Sequence, residues 1–202
     1  MMQASLIYVM GPSGAGKDSL LSATKTLLQG APVAFVRRYI TRPAARGEWH
    51  IPVSEERFAH LEEDGAFSLA WHSHGLFYGI PASAGLALAN GITLVVNGSR
   101  EALGRAFSCY PTLVPVLVDV KLDVLRTRLE GRGRENGAAL EERLARASMP
   151  LPEVSGMPAP LRIDNSGSLD AAAATFAKMI RDLMCGELNT LRDARVSTGR
   201  AG

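Results

Sequence analysis

The sequence predicts an α/β fold, a parallel sheet with helices on both faces. Three observations predict it. "SLIYVM" (5–10) is a short β-rich apolar run, the glycine-rich turn "GPSGAGK" (11–17) follows at once, and "KDSLLSATKTLLQ" (17–29) spaces its leucines for one helix face. Further along, apolar strand-like runs alternate with helical patterns, the order that builds parallel strands joined by covering helices. In such sheets ligands sit at the carboxyl ends of the strands, where the first loop falls.

The later elements follow in order. "VAFVRRYIT" (33–41) reads as a second strand. In "SEERFAHLEEDGAF" (54–67), Phe58 and Leu61 are spaced for one helix face, while Ser54 with Arg57 makes no capping box. "GLALANG" (85–91) closes a helix at Gly91 before the strand "ITLVVN" (92–97). "TLVPVLVDV" (112–120) is a buried strand. "LDVLRTRLEGRG" (122–133) is a helix that breaks near Gly131 and Gly133, and "GAALEERLARA" (137–147) resumes the pattern. "PLRIDNSG" (160–167) supplies a last short strand and turn, and "SLDAAAATFAKMIRDLM" (168–184) a closing helix. Residues 187–202 read as a flexible tail.

A chain of 202 residues, 47% hydrophobic and 21% charged, suits one α/β domain with a substantial core. No apolar run reaches membrane-spanning length, and the opening "MMQASLIYVM" lacks the features of a secretory signal. Cys109 and Cys185 form neither a disulfide framework nor a metal cluster, so a cytoplasmic address is expected. A net charge of +2 is too small to argue for nucleic acid. The arginines, however, bunch at Arg37, Arg38, Arg42 and Arg46, and again at Arg126, Arg128, Arg132, Arg134, Arg143 and Arg146. Two such clusters are either solvated faces or two walls of a site for highly anionic ligands.

The loop carries the sharpest chemistry. Backbone N–H groups around Gly14 to Lys17 would wrap a β-phosphate at the positive end of the following helix. Gly11 and Gly16 supply backbone freedom, and Lys17 would bridge the β- and γ-phosphates. The expected ATP-binding stretch is Gly11, Pro12, Ser13, Gly14, Ala15, Gly16, Lys17, Asp18 and Ser19. Asp18 stands where a hydroxyl normally reaches Mg²⁺. A carboxylate there is compatible with Mg²⁺-ATP, by direct binding or through a water, because the metal offsets its repulsion from phosphate. The bland alternative is a first-turn carboxylate that favours the helix dipole. Ser19 cannot simply replace the hydroxyl, being rotated by roughly 100° along the helix. A helix with Arg128 and Arg132, a glycine break, then Arg143 and Arg146 suits a lid that closes over a nucleotide.

Along nearly its whole length the chain resembles the guanylate-kinase branch of P-loop kinases, through "GPSGAGK", "TRP" with "RGE", "EEDGAF", "HGLFYG" and "RLEGRG" with Arg143-Leu144. The resemblance implies one kinase domain over 1–186, with a core of 1–36, 88–125 and 158–186. It also implies an acceptor-binding lobe at 37–87 and a lid at 126–150. It puts Arg42, Tyr78 and, more loosely, Arg46 on the acceptor phosphate, and makes Lys17, Arg132 and Arg143 catalytic.

The guanine-reading positions of that family correspond here to Arg38, Leu69, Ile80 and Asn97. Leucine cannot replace a glutamate that accepts two base N–H groups, and loss of such a partner costs orders of magnitude in discrimination. Arg38 adds positive charge where a base would lie, and shares strand parity with Arg42. An acceptor with two phosphates on a small polar body fits. "GPSGAGKDS", "ITRPAARGE", "HSHGLFYGIP" and "VVNGSR" resemble the ribose 1,5-bisphosphate phosphokinases, where Asp also follows the loop lysine. That resemblance implies conversion of ATP and ribose 1,5-bisphosphate to ADP and 5-phosphoribosyl 1-diphosphate in bacterial phosphonate breakdown. The expected partners are ATP, Mg²⁺ and a small sugar bisphosphate, without nucleic acid or membrane. The rival readings are a guanylate-kinase-like nucleoside monophosphate kinase and a non-catalytic interaction module of the same fold.

Among the remaining residues, "WHSHG" is a His-x-His pair without a nearby third ligand, so zinc is disfavoured. The four histidines read first as surface imidazoles; His50 or His74 lining the sugar pocket is a more natural reading than zinc. Trp49 and Trp71 read as packing residues, Asn165 as a turn residue or a neighbour of the adenine, and Cys109 as a small core residue. Oligomeric state has no signal in the sequence.

Overall fold

The computed structural model describes residues 4–45, 48–131 and 137–186. The amino half runs β1 (Leu6–Met10), α1 (Lys17–Leu27), β2 (Val33–Val36), β3 (Tyr39–Ile40), β4 (Ile51–Pro52), α2 (Glu55–Glu63), β5 (Phe67–Ser73) and β6 (Leu76–Pro81). The carboxyl half continues with α3 (Ser83–Ala89), β7 (Thr93–Asn97), α4 (Leu103–Cys109), β8 (Val114–Asp119), α5 (Leu122–Glu130), α6 (Ala138–Ser148), β9 (Leu161–Asp164) and α7 (Leu169–Met184).

Two sheets result. Five parallel strands form the larger, in the order β2-β7-β1-β8-β9. The central strand is buried on both faces and its side chains alternate between two cores. Ile7 and Val9 pack with Leu20 of α1 and with Phe176, Ala177 and Ile180 of α7. Leu6, Tyr8 and Met10 pack with Leu103 and Ala106 of α4 and with Leu69, Trp71 and Ile80 of the smaller sheet. The smaller sheet is mixed, in the order β4-β3-β6-β5. A third cluster, Leu125 and Leu129 of α5 against Leu140 and Leu144 of α6, holds the expected lid helices together.

One expected strand is two. "VAFVRRYIT" splits at Arg37-Arg38: β2 pairs with β7 in the large sheet, whereas β3 pairs with β4 and β6 in the small one. Backbone groups on either side of the break find partners in different sheets, so the apolar run continues while the strand does not. The hairpin of β5 and β6 was not among the sequence expectations; His74 (φ 52°) and Gly75 (φ 72°) turn it, a positive-φ pair suited to a two-residue hairpin loop. Helix α4 was likewise not expected. Ser54 does cap α2, its Oγ accepting from Arg57 N at 3.1 Å, although no capping box is present. Among the described residues no helix is long and apolar enough to cross a membrane. Arg46, Arg132 and the expected tail at 187–202 lie outside the described residues.

Candidate active site

Strand β1 delivers Gly11 to the carboxyl edge of the large sheet, and the loop curls over the start of α1. Gly14 (φ 92°) and Gly16 (φ 80°) adopt left-handed backbone that other residues rarely take, and a Cβ on Gly16 would lie 2.7 Å from Asn165 Nδ2. Lys17 folds back across the loop, its Nζ donating to Gly11 O at 2.8 Å and Pro12 O at 2.9 Å. The Ala15 carbonyl accepts from Asn165 Nδ2 at 2.6 Å and from Arg128 Nη1 at 3.5 Å. Arg143 reaches from α6 to donate to Ser13 Oγ at 3.2 Å. Ser13, Gly14, Gly16, Lys17, Asp18 and Ser19 line a cavity of about 190 Å³, with Leu129 and Arg143 on its lid side. Gly11, Pro12 and Ala15 lie behind that wall and shape it through their carbonyls.

A second cavity, of about 390 Å³, adjoins the first; both are lined by Asp18, Arg42 and Glu48. Arg38, Arg42 and Asn97 stand on its wall, with Lys25, Trp49 and His50. Arg42 Nη1 donates to Glu48 Oε2 at 2.5 Å, and that contact holds the Arg42 pKa up and the Glu48 carboxyl below its usual range. Glu48 also accepts from Ala45 N at 3.2 Å and sits 3.7 Å from His50 Nδ1. The buried His50 ring lies with Nε2 3.2 Å from Arg42 O.

Arg38 differs from Arg42. Among the described residues its side chain has no hydrogen bond or ion pair; its guanidinium carbon lies 5.5 Å from the centre of the Tyr78 ring. Burial pushes its pKa down, and the Asp18 charge then offsets part of that shift. Tyr78 itself does not line either cavity. It is stacked on Trp71 at 5.1 Å and backs Arg38 from behind, its hydroxyl pKa raised by burial. Arg37 points elsewhere, its Nη2 donating to His50 O at 2.9 Å.

The pair of Asp18 and Asn97 joins α1 to the end of β7. Val9 is in register with Asn97, so the asparagine emerges beside the strand that leads into the loop. Its Nδ2 donates to Asp18 Oδ1 at 2.8 Å, and its Oδ1 is buried with no partner among the described residues. Because a carboxylate can only accept, this contact fixes which way the amide points.

Several sequence expectations are corrected here. Strand parity does not explain why Arg38 and Arg42 share a cavity, since Arg38 lies in the break between β2 and β3 and Arg42 in a bend after β3. Leu69 and Ile80 are packed in the core between the sheets rather than on the acceptor cavity, because alternation turns them inward. Trp49 is not a packing residue: it is 46% exposed and carries Lys25 Nζ 3.8 Å from its ring centre. Asn165 is more than a turn residue, being 2% exposed and hydrogen-bonded to the loop. Cys109 is exposed, at the end of α4. His74 is at the hairpin tip, near Glu101, whereas His50 lines the cavity.

The second arginine cluster divides by function of place. Arg128 and Arg143 touch the loop, while Arg126 pairs with Glu141 and Arg146 with Glu142 on the surface. Arg100, which sequence reading passed over, donates to the carbonyls of Arg146, Ala147 and Met149 at 3.1–3.3 Å and so ties down the end of α6. The available signals for these misses were slight. Lys25 falls at the helical spacing Asp18-Leu21-Ser22-Lys25, and Arg100 closes the quoted "VVNGSR".

No protein-family model matches the chain. A ribose 1,5-bisphosphate phosphokinase of Desulfomicrobium baculatum is 46% identical over 179 residues, spanning 88% of this chain and 94% of that protein. One of Azotobacter vinelandii is 45% identical over 186 residues, spanning 91% of this chain and 100% of that protein. One of Chromobacterium violaceum is 45% identical, with 88% and 94% covered. Among solved structures, a guanylate kinase of Anaplasma phagocytophilum superposes with a TM-score of 0.63 at 17% identity. It covers 91% of this chain and 87% of that one, and attests the fold alone.

Proposed function

The chain belongs to the ribose 1,5-bisphosphate phosphokinase family, and from that premise we propose that its two adjoining cavities transfer the γ-phosphoryl group of ATP to the 1-phosphate of ribose 1,5-bisphosphate. The products are 5-phosphoribosyl 1-diphosphate and ADP. The observation that carries this reading is Arg38: a half-buried guanidinium that has no hydrogen-bonded partner among the described residues, on the wall of a cavity that meets the loop cavity at Asp18, Arg42 and Glu48. A cation so placed favours an anionic ligand over a neutral base.

In this reading the lobe at 37–87 binds the acceptor through Arg38, Arg42 and, by resemblance, Arg46, and the core adds Asn97 from the end of β7. Tyr78 acts by backing Arg38. The loop from Gly11 to Ser19 holds the ATP phosphates, and Arg143 and, by resemblance, Arg132 of the lid at 126–150 serve the transferring group. An oxygen of the 1-phosphate attacks the γ-phosphorus. The bond to the β,γ-bridging oxygen breaks, and its electron pair leaves with ADP. With a second phosphate pKa of about 6, that nucleophile is largely dianionic at neutral pH. No side chain has to remove an alcohol proton, so catalysis reduces to alignment and charge neutralisation by Lys17 and the arginines.

The residues fit Mg²⁺. Asp18 Oδ1 is held by Asn97, while Oδ2 makes no hydrogen bond among the described residues and both cavities open on this side chain. Asp18 would hold the ion directly or through a water, and the buried Asn97 Oδ1 would accept from a metal-bound water or an acceptor hydroxyl. When bound, Mg²⁺ supplies charge neutralisation on the β- and γ-phosphate oxygens. The unpaired, exposed Cys109 and Cys185 support work in a reducing cytoplasm.

Phosphorus NMR with Mg²⁺-ATP and, separately, ribose 1,5-bisphosphate or GMP tests the reaction. A new diphosphate signal from the sugar acceptor and none from GMP is expected. ADP formation only with GMP would show a nucleotide-reading lobe.

A further inference from the structure

The phosphoryl-transfer end of the acceptor cavity is crowded with charge, for Asp18, Arg38 and Arg42 lie within electrostatic reach of one another. The other end is different. Asp18, Leu21, Ser22 and Lys25 line the cavity from α1 at positions i, i+3, i+4 and i+7, one continuous helix face. Seven residues at 1.5 Å rise place Lys25 about 10 Å along the axis from Asp18. Its ammonium sits 3.8 Å from the centre of the Trp49 ring, and Arg37 approaches the same ring at 5.7 Å. Among the described residues Lys25 has no hydrogen bond or ion pair. Apolar Phe35, Val36 and Val95 also line this cavity. A ligand lying along α1 therefore meets cations at both ends and an apolar floor between.

Resting on the reading of the cavity as the sugar-bisphosphate site, we propose that Lys25, braced by Trp49, binds the phosphate remote from the transfer point, the 5-phosphate. Arg38 and Arg42 take the 1-phosphate beside Asp18. The division follows from charge and length: each phosphate needs its own donors, and the wall supplies them two helical turns apart. The indole face holds the ammonium by a cation–π contact, which limits the side-chain freedom to be lost on binding. Lys25 thus sets specificity for a sugar phosphorylated at both ends. A lysine in the last turn of α1 would also favour the helix dipole without touching any ligand. The kinetic test separates the two roles.

Steady-state kinetics with Mg²⁺-ATP and ribose 1,5-bisphosphate would compare the wild type with Lys25→Met and Lys25→Arg. Methionine keeps the length and the packing on Trp49 but removes the charge. Lys25→Met is expected to raise KM for the bisphosphate about tenfold or more, with kcat within about threefold and KM for ATP unchanged; Lys25→Arg should recover most of the loss. A bisphosphate KM within about twofold of wild type in Lys25→Met overturns the subsite, as does an equal rise in both KM values. Failure of the wild-type protein to use ribose 1,5-bisphosphate would instead overturn the underlying reading, and is seen before any variant is compared.

Discussion

Arg38 is the residue on which the proposed acceptor site turns. Its charge is partly stripped of water, and Asp18, Tyr78 and Tyr8 offset part of that cost. Arg38→Glu should lower kcat/KM for the acceptor by about a hundredfold or more while ATP affinity stays within about twofold. Unchanged acceptor turnover would remove Arg38 from the site. Asp18 and Asn97 make a second residue-scale case. Their 2.8 Å contact pairs a carboxylate with a neutral amide, so only one of these two side chains is ionisable. Asn97→Asp would set two carboxylates face to face, which raises the folded-state pKa of the pair above the unfolded value of about 4. The folded protein then holds more protons than the unfolded one, so stability falls as pH rises. Melting temperatures of Asn97→Asp and wild type should be nearest at about pH 4 and separate towards pH 8, and a gap that does not vary with pH would show that the carboxylates do not interact. Asp18 and Lys17 are legible in the sequence because their chemistry is tied to a local motif. The Asn97 contact is not, since its partner is 79 residues away.

At the scale of elements, the loop and the proposed lid are held by contacts from outside themselves. Asn165, just beyond β9, grips the Ala15 carbonyl, and Arg100, after β7, grips the last turn of α6. Both anchors leave the carboxyl ends of parallel strands, so one edge of the sheet organises the loop below and the lid above. Burial pushes the Arg100 pKa down, and Ala147 O, which it meets, lies in the last turn, where a helix leaves carbonyls without an intrahelical donor. Arg100→Ala should free that turn: hydrogen exchange across 146–149 should quicken and KM for ATP should rise several-fold, with the acceptor KM unchanged. An exchange pattern identical to wild type would show that α6 does not need this anchor. Lys17→Ala belongs here too, because it removes both the lysine that spans the loop and the charge on ATP. Magnesium-dependent ATP binding should fall about a hundredfold or more, and a protein indifferent to the change would be no kinase.

The whole molecule joins two cavities over three shared residues, Asp18, Arg42 and Glu48. A single ligand in which a polyphosphate links adenosine to ribose 5-phosphate should therefore compete with both substrates and raise the melting temperature more than either alone. Competition with ATP only would mean that the path between the cavities is closed. Much of this organisation is local in origin. The alternation of apolar runs and helical spacings determined a parallel sheet with covering helices, and "GPSGAGKDS" determined a phosphate site at its edge, because strand, turn and helix are each set by neighbours a few residues apart. The acceptor wall is another matter. Whether Leu69 and Ile80 face a ligand or the core, whether "VAFVRRYIT" is one strand or two, and whether Trp49 packs or lines a cavity were decided only when two sheets, far apart in sequence, shared one core. A side chain's direction depends on which sheet satisfies its backbone, and that choice is made by burial and pairing across the whole chain, not by its own neighbours.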